Sequence, residues 1–363
     1  MPPSRIHLVA AARPNFMKVA PLYHALREAP DFTPSLIHTG QHYDVNLSER
    51  ILADLGIQTL DFQLGVGSGS HAAQTAAVMV AYEKLAEANP PDWLVVAGDV
   101  NSTVACALVA AKLRIPLVHL EAGLRSGDRT MPEEINRLVT DVLADVLWTP
   151  SSDADENLRA EGIDPSKITR VGNIMLDSFE MVRPAIEREL IVTELGLTHK
   201  GYGLVTLHRP SNVDDVVRLR ALVEGLTSVQ RRLPLVFPVH PRTAQRLAES
   251  RLDVVLTGAG VRLIEPLSYV RFMGLVVSAG AVITDSGGVQ EETTYLGVPC
   301  LTLRENTERP ITISEGTNRL VGIDALGGAI EEMMAINWKP RRPEFWDGRT
   351  ALRCVADLRD RSG

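Results

Sequence analysis

The chain has 363 residues, of which 45% are apolar and 5% aromatic, and its formal net charge is -8. At roughly 150 residues per domain this length suggests two domains, each with enough apolar residues for a core. No Lys/Arg run exceeds two residues, which argues against a nucleic-acid partner, since such proteins carry a basic footprint.

Residues 5–12 (RIHLVAAA) read as a buried first strand, ended by Arg13-Pro14 and followed by a helix over 15–28. LIHTGQH (36–42) is a second strand, and 47–55 is amphipathic and helical. GVGSGS (65–70) reads as a linker before a helix over 71–89. Strands follow at 92–99 (DWLVVAGD) and 116–123 (PLVHLEAG), with a helix over 101–113 between them and another starting at Pro132. Shorter strands are expected at 145–150 and 168–173. A charged segment, 174–200, has no strand character and reads as a linker. The pattern then restarts with strands at 203–208, 235–240 and 261–266, each leading into a helix, and a last pair at 281–284 and 299–303. Apolar strands alternating with helices imply parallel, doubly wound sheets. The expected fold is therefore α/β, with two Rossmann-like domains facing across a cleft. The boundaries expected are 1–172, with a C-terminal helix (about 343–363) returning to it, and 173–342.

No stretch approaches the ~20 apolar residues of a membrane span, and the N-terminus lacks the form of a signal peptide. Cys106, Cys300 and Cys354 share no metal-ligand spacing, and read as reduced thiols of a cytoplasmic protein. No metal is expected.

In open α/β sheets ligands sit beyond the carboxyl ends of the strands. Here those ends carry Arg13, Gln41-His42, Asp99, Glu121, His208, His240 and Asp285. The GxGxxG fingerprint of dinucleotide sites should follow the first strand of a unit, but that turn reads AARPNF, and no GxxxxGK[ST] exists. The strongest anion signal is DSGGVQEETTYLGVPCLTLRENTERP (285–310). A strand, Ser286-Gly287-Gly288 and a helix present backbone N–H groups to a phosphate, and Arg309 can add a charged contact. A plain glycine turn with a surface arginine is the competing reading.

Asp99 in VVAGDVNST could cap the helix that follows or act as an acid–base group. Glu121 closes the next strand before a glycine, and Glu133 opens the PEEINR helix, where an acidic residue is commonly a dipole partner. Three carboxylates and His208 in one cleft suit proton transfer. His7, His38 and His119 lie within strands and read as core or supporting residues. DSGG is not a GxSxG nucleophile elbow.

ARPNFMKVAPL, TGQH, VVAGDVNST, HLEAGLRSGD, PEEINR, LHRPSNVD, PLSYVRF and TDSGGVQEE…LRENTERP together resemble the UDP-N-acetylglucosamine 2-epimerase family across nearly the whole chain. The resemblance implies a glycosyltransferase-B-like architecture, a homodimer, a helix over 347–361 that crosses back to the first lobe, and a place in cell-surface polysaccharide biosynthesis. It implies elimination of UDP from C1 with loss of the C2 proton, a 2-acetamidoglucal intermediate, and re-addition with protonation on the opposite face, without a redox cofactor. It assigns the chemistry to Asp99, Glu121, Glu133 and His208. It assigns substrate and UDP contacts to Arg13, Lys18, His240, Phe272, Ser286, Gly287, Glu292 and Arg309, with Glu292 on the ribose and Phe272 at uracil. Gln41 and His42 match a second substrate site found in some relatives. AARPN stands where the family commonly has GTRPE, and LHRPSN where it has THRREN. These departures fall on the sugar side. Alternatives are a hydrolysing 2-epimerase releasing ManNAc, an epimerase of a modified UDP-sugar, and a glycosyltransferase of the same fold.

Overall fold

The computed structural model describes residues 2–11, 13–40, 52, 54–336 and 342–362. The chain divides into two compact units, 1–182 with 344–363, and 183–343. Gln41, His42 and most of the expected helix at 47–55 lie outside the described residues.

The first unit holds a parallel sheet of β1 (Ser4–Ala10), β2 (Phe32–His38), β3 (Phe62–Gln63), β4 (Trp93–Ala97), β5 (Leu117–Leu120), β6 (Val146–Thr149) and β7 (Ile168–Arg170), in the order β3-β2-β1-β4-β5-β6-β7. The second holds β8 (Gly203–Thr206), β9 (Leu235–Pro238), β10 (Arg262–Ile264), β11 (Ala281–Thr284), β12 (Cys300–Thr302) and β13 (Asn318–Leu320), in the order β10-β9-β8-β11-β12-β13. In each sheet the order reverses beside the first strand, between β1 and β4 and between β8 and β11. Such switch points leave a crevice at the carboxyl ends of the strands.

Helices cover both faces, so the central strands are apolar on both sides: Leu94, Val95 and Val96 of β4 are all fully buried. In the helix His71–Ala88 the buried residues Gln74, Val78, Tyr82 and Ala86 recur every fourth position, one stripe facing inward. Ser70 starts it by accepting the Ala73 N–H. In the second unit Asp215 and Ser268 cap the helices Val216–Gln230 and Tyr269–Ser278 in the same way. The C-terminal helix Thr350–Ser362 belongs to the first unit. Its first amides, Thr350 and Ala351, donate to Asp177 (3.0 and 2.8 Å), and Asp357 accepts from Trp148 Nε1 (2.7 Å).

Segment 174–200, read as a linker, contains the helices Ile174–Glu187 and Ile191–Glu194. Ile174, Leu176, Phe179, Val182 and Ile186 form its buried face. An internal proline, Pro184, and six charged side chains between 177 and 189 hide that stripe in the sequence. β2 begins four residues earlier than expected, because Phe32 to Ser35, with Pro34, pair along β1.

Candidate active site

In the first unit the relevant groups hang from the ends of β1, β4 and β5. Gly98 and Asp99 follow β4. Asp99 does not cap the next helix: Val100 occupies the N-cap, without a side-chain bond. The Asp99 carboxylate instead meets Arg137 (Oδ2 to Nη1, 2.6 Å), and Asn136 donates to the Asp99 carbonyl (2.8 Å). Both partners come from the helix Pro132–Leu143, whose first turn also carries Glu133, exposed to solvent. Asp99, Glu133, Asn101, Asn136 and His71 line one pocket of about 230 Å³.

Glu121 follows β5 with φ of 70°, a left-handed conformation that a non-glycine side chain adopts only when its surroundings hold it there. Its carboxylate is buried and ion-paired with Lys18 on the helix Arg13–Glu28. Gly98 runs beneath that pair. A Cβ there would lie 2.7 Å from Lys18 Nζ, and φ is +68°, a backbone conformation that favours glycine. The turn bearing Asp99 and the pair bearing Glu121 are thus packed together. Asn15 is nearly fully buried. Its amide donates to the Ala97 carbonyl (3.0 Å), fixing the end of β4.

Glu134, beside Glu133, was not anticipated. It accepts from the Ser126 and Gly127 amides (3.0 Å each) and pairs with Arg137 (2.7 Å). Burial pushes its carboxyl up, but the Ser126 amide and Arg137 outweigh that and hold it below the usual range. Its spacing to Arg137, i to i+3, was the available signal.

In the second unit β8 and β11 end side by side. Asp285, fully buried, accepts from the His208 and Arg209 amides (3.1 and 3.0 Å) and from Asn212 Nδ2 (3.1 Å). His208 Nδ1 lies 3.1 Å from Asp285 Oδ1. A carboxylate requires a proton on that nitrogen, so His208 turns Nε2 away from Asp285. Burial raises the Asp285 carboxyl, yet His208 and these donors hold it below the usual range, so it remains anionic. The His208 and His240 rings are 5.6 Å apart, and His240 Nδ1 also accepts the Arg242 N–H at the start of the helix Pro241–Glu249.

Ser286 precedes the helix Gly287–Leu296 without a side-chain cap bond. Arg309 lies over that end. A Cβ on Gly287 would meet its Nη1 at 2.6 Å, whereas Gly288 faces open space. Arg309 is also ion-paired with Glu291 (2.7 Å) and Glu308 (2.5 Å), while Arg304 holds the other Glu308 oxygen (2.7 Å). Arg209 adds a third cation, 3.8 Å from Glu308. Burial, then the positive charges of Arg304 and Arg309, lower its pKa.

Glu292 lies one turn along the helix, nearly fully buried, and accepts from Tyr269 Oη (2.7 Å). Phe272, half-buried, follows one turn after Tyr269. Burial raises the Glu292 carboxyl to about 7, against the Tyr269 hydrogen bond and with help from Glu291. Because the folded pKa exceeds the ordinary 4.5, Glu292 favours folding fully below pH 4.5, and that contribution is lost as pH rises through 7. Glu292→Gln should therefore become more stable relative to wild type by about 3 kcal/mol between pH 4.5 and 8. Denaturant titrations at several pH values measure this. Parallel stability curves would show that Glu292 does not titrate in that window.

Among the described residues no His, Cys, Asp or Glu cluster suits a metal, and no helix is long and apolar enough to cross a membrane.

Comparisons with known proteins bear on this arrangement. A family model described as UDP-N-acetylglucosamine 2-epimerase matches residues 24–359. The Methanocaldococcus jannaschii UDP-N-acetylglucosamine 2-epimerase is 39% identical over 98% of each chain. Its crystal structure in complex with UDP-GlcNAc and UDP superposes with a TM-score of 0.88, covering 98% of this chain and 99% of that one. The Pseudomonas aeruginosa UDP-2,3-diacetamido-2,3-dideoxy-D-glucuronate 2-epimerase is 40% identical over 88% of each chain. Phytolacca americana UGT2, a structure complexed with UDP-2fluoro-glucose and pterostilbene, is 14% identical with a TM-score of 0.59, covering 98% of this chain and 94% of that one, a likeness of fold alone.

Proposed function

The chain belongs to the UDP-N-acetylglucosamine 2-epimerase family, and from that premise we propose that it inverts C2 of a UDP-N-acetylhexosamine, interconverting UDP-GlcNAc and UDP-ManNAc. The carrying observation is the pair of turns after β4 and β5, which brings Asp99 and the Lys18–Glu121 pair together around Gly98.

C2 of the sugar has no neighbouring carbonyl, so its proton is not acidic while UDP stays bonded to C1. Expelling UDP as that proton leaves gives a 2-acetamidoglucal. Re-adding UDP with protonation from the opposite face completes the inversion. Both directions need one group that accepts a proton and one that donates it. Asp99, Glu121 and Glu133 supply them in the first unit. In the second, Ser286 and Gly287 at a helix N-terminus receive the diphosphate, Glu292 holds the ribose hydroxyls, and Phe272 lines the uracil pocket. His208, oriented by Asp285, is suited to the proton balance of the departing phosphate, with His240 beside it. Lys18 in the first unit and Arg309 in the second are the cations suited to the substrate's charge, and the side chain of Arg13 lies outside the described residues.

Turnover in D2O tests the reading. Deuterium should appear at C2 of a product that remains nucleotide-linked. If label enters while free ManNAc and UDP accumulate, the enzyme is the hydrolysing type. A C2 that keeps its proton through many turnovers rules out elimination and leaves glycosyl transfer.

A second reading, a UDP-sugar that also carries a C3 acetamido group and a carboxylate, is favoured by the 40% identity to the Pseudomonas enzyme. It is also supported by Asn15, which stands where the family commonly has an acid. Offering each substrate separately distinguishes the two by their kcat/KM values. A homodimer in the cytoplasm, supplying activated sugar for cell-surface polysaccharide, completes the proposal. The apolar strip of Ala76, Ala77 and Val80 along the helix His71–Ala88, with Leu64 beside it, is suited to a second copy.

A further inference from the structure

His119 and Asp141 take no part in the proton transfers above, yet both are fully enclosed. His119 lies on β5. Its Nδ1 is 2.5 Å from Asp141 Oδ1, and its Nε2 is 2.9 Å from the Gly98 carbonyl. Both neighbours are acceptors. A neutral imidazole has one N–H and would turn a lone pair toward one of them, so the geometry requires a proton on each nitrogen. The other Asp141 oxygen accepts the Gly123 N–H (3.1 Å) and pairs with Arg125 (2.7 Å), which is held in turn by Glu161 (2.7 Å). His119⁺, Asp141⁻, Arg125⁺ and Glu161⁻ therefore balance. Burial alone would raise the Asp141 carboxyl, but His119 and then Arg125 hold it below the usual range.

The ends of this network are the informative part. Gly98 precedes Asp99, and Gly123 closes the turn that begins at Glu121. One buried ion pair thus ties the two turns that carry two of the expected proton-transfer groups. Glu121 has a positive φ of 70°, a conformation that in a non-glycine residue needs such external support.

We propose that His119 and Asp141 are positioning residues, a buried imidazolium–carboxylate staple that fixes the separation of Asp99 and Glu121. This rests on the reading of those two carboxylates as the groups that handle the C2 proton. A shift of about 1 Å between them is enough to cost on the order of 10²-fold in turnover.

The test has two arms on the intact enzyme. In the first, protein labelled with ¹⁵N-histidine is examined by NMR at neutral pH, where one buried ring should show two slowly exchanging N–H protons. In Asp141→Asn the asparagine amide donates to Nδ1, so that ring should keep only its Nε2 proton while both ties persist. A single N–H on the wild-type ring overturns the staple. In the second arm, His119→Gln should lose on the order of 10²-fold in kcat, with KM and UDP affinity within a few-fold of wild type. Asp141→Asn should retain most of its turnover. Wild-type kcat in His119→Gln overturns the positioning role, as does a loss in Asp141→Asn as large as in His119→Gln. Should His119→Gln fail to fold, the wild-type ring protons and the Asp141→Asn turnover still decide. Wild-type turnover in D2O separates the two ideas: no deuterium at C2 removes the underlying reading, whereas label at C2 with an indifferent His119→Gln removes only the staple.

Discussion

Asp99→Asn is expected to lower turnover by ~10²–10⁴-fold, the usual worth of a positioned acid or base, while UDP still raises the melting temperature. The substitution is nearly isosteric, and its oxygen can still accept from Arg137, 2.6 Å away in the wild type. The Asn136 bond goes to the main-chain carbonyl of residue 99 and is untouched. Asp99 does not cap a helix, so no secondary structure is lost. The capacity to take up and release a proton goes, while Arg137, which loses this negative partner, keeps Glu134 at 2.7 Å. Glu121→Gln is a less clean experiment, because it would strand the nearly buried Lys18 cation opposite a neutral amide and cost stability as well. Deuterium incorporation at C2 and the UDP-induced thermal shift are measured on one preparation. Wild-type turnover in a folded, UDP-binding Asp99→Asn removes Asp99 from the proton-handling set.

Asp99 illustrates what the sequence allowed. Its place at the end of VVAGD was legible because a central parallel strand is buried on both faces, so an ionisable residue ends it visibly. Its partner was not legible: Arg137 lies 38 residues away on another helix. Asp285 shows the same limit. It reads as the end of AVIT, but its main engagement is with His208, Arg209 and Asn212, some 73 to 77 residues upstream. The pairings that decide tautomer and charge are products of the β8–β11 neighbourhood. Short edge elements were hidden for a different reason. β3 has two residues and β13 three, too few to show any period. The DSGG and TERP segments were visible as motifs. What could not be read was that Arg309 is shared with Glu291 and Glu308.

That sharing makes Arg309→Ala the variant with the largest expected structural effect. Arg309, Glu291 and Glu308 have side chains only 11%, 2% and 6% exposed. Deleting the cation leaves buried negative charge without its main partner, which typically costs ~3–5 kcal/mol. The pH dependence has a definite sign. Burial pushes the Glu308 carboxyl up, but Arg309 and then Arg304 hold it well below the usual range. A depressed carboxyl stabilises the fold above its unfolded value, near 4.5, and loses that contribution as pH falls through the folded value. The deficit of Arg309→Ala should therefore be full at pH 7 and shrink on acidification, as Glu308 takes up a proton. Urea denaturation at pH 7 and at pH values well below 4.5 measures it, with Arg309→Lys as the variant that keeps charge without the guanidinium fork. The competing expectation, a guanidinium that serves the UDP diphosphate alone, predicts unchanged stability and a lost UDP-induced thermal shift. A variant that is destabilised at pH 7 yet still shifted by UDP identifies Arg309 as the brace holding its loop over Gly287. The diphosphate would then fall to the helix N-terminus and to Arg209, whose guanidinium lies 3.8 Å from Glu308 at the edge of the same cluster.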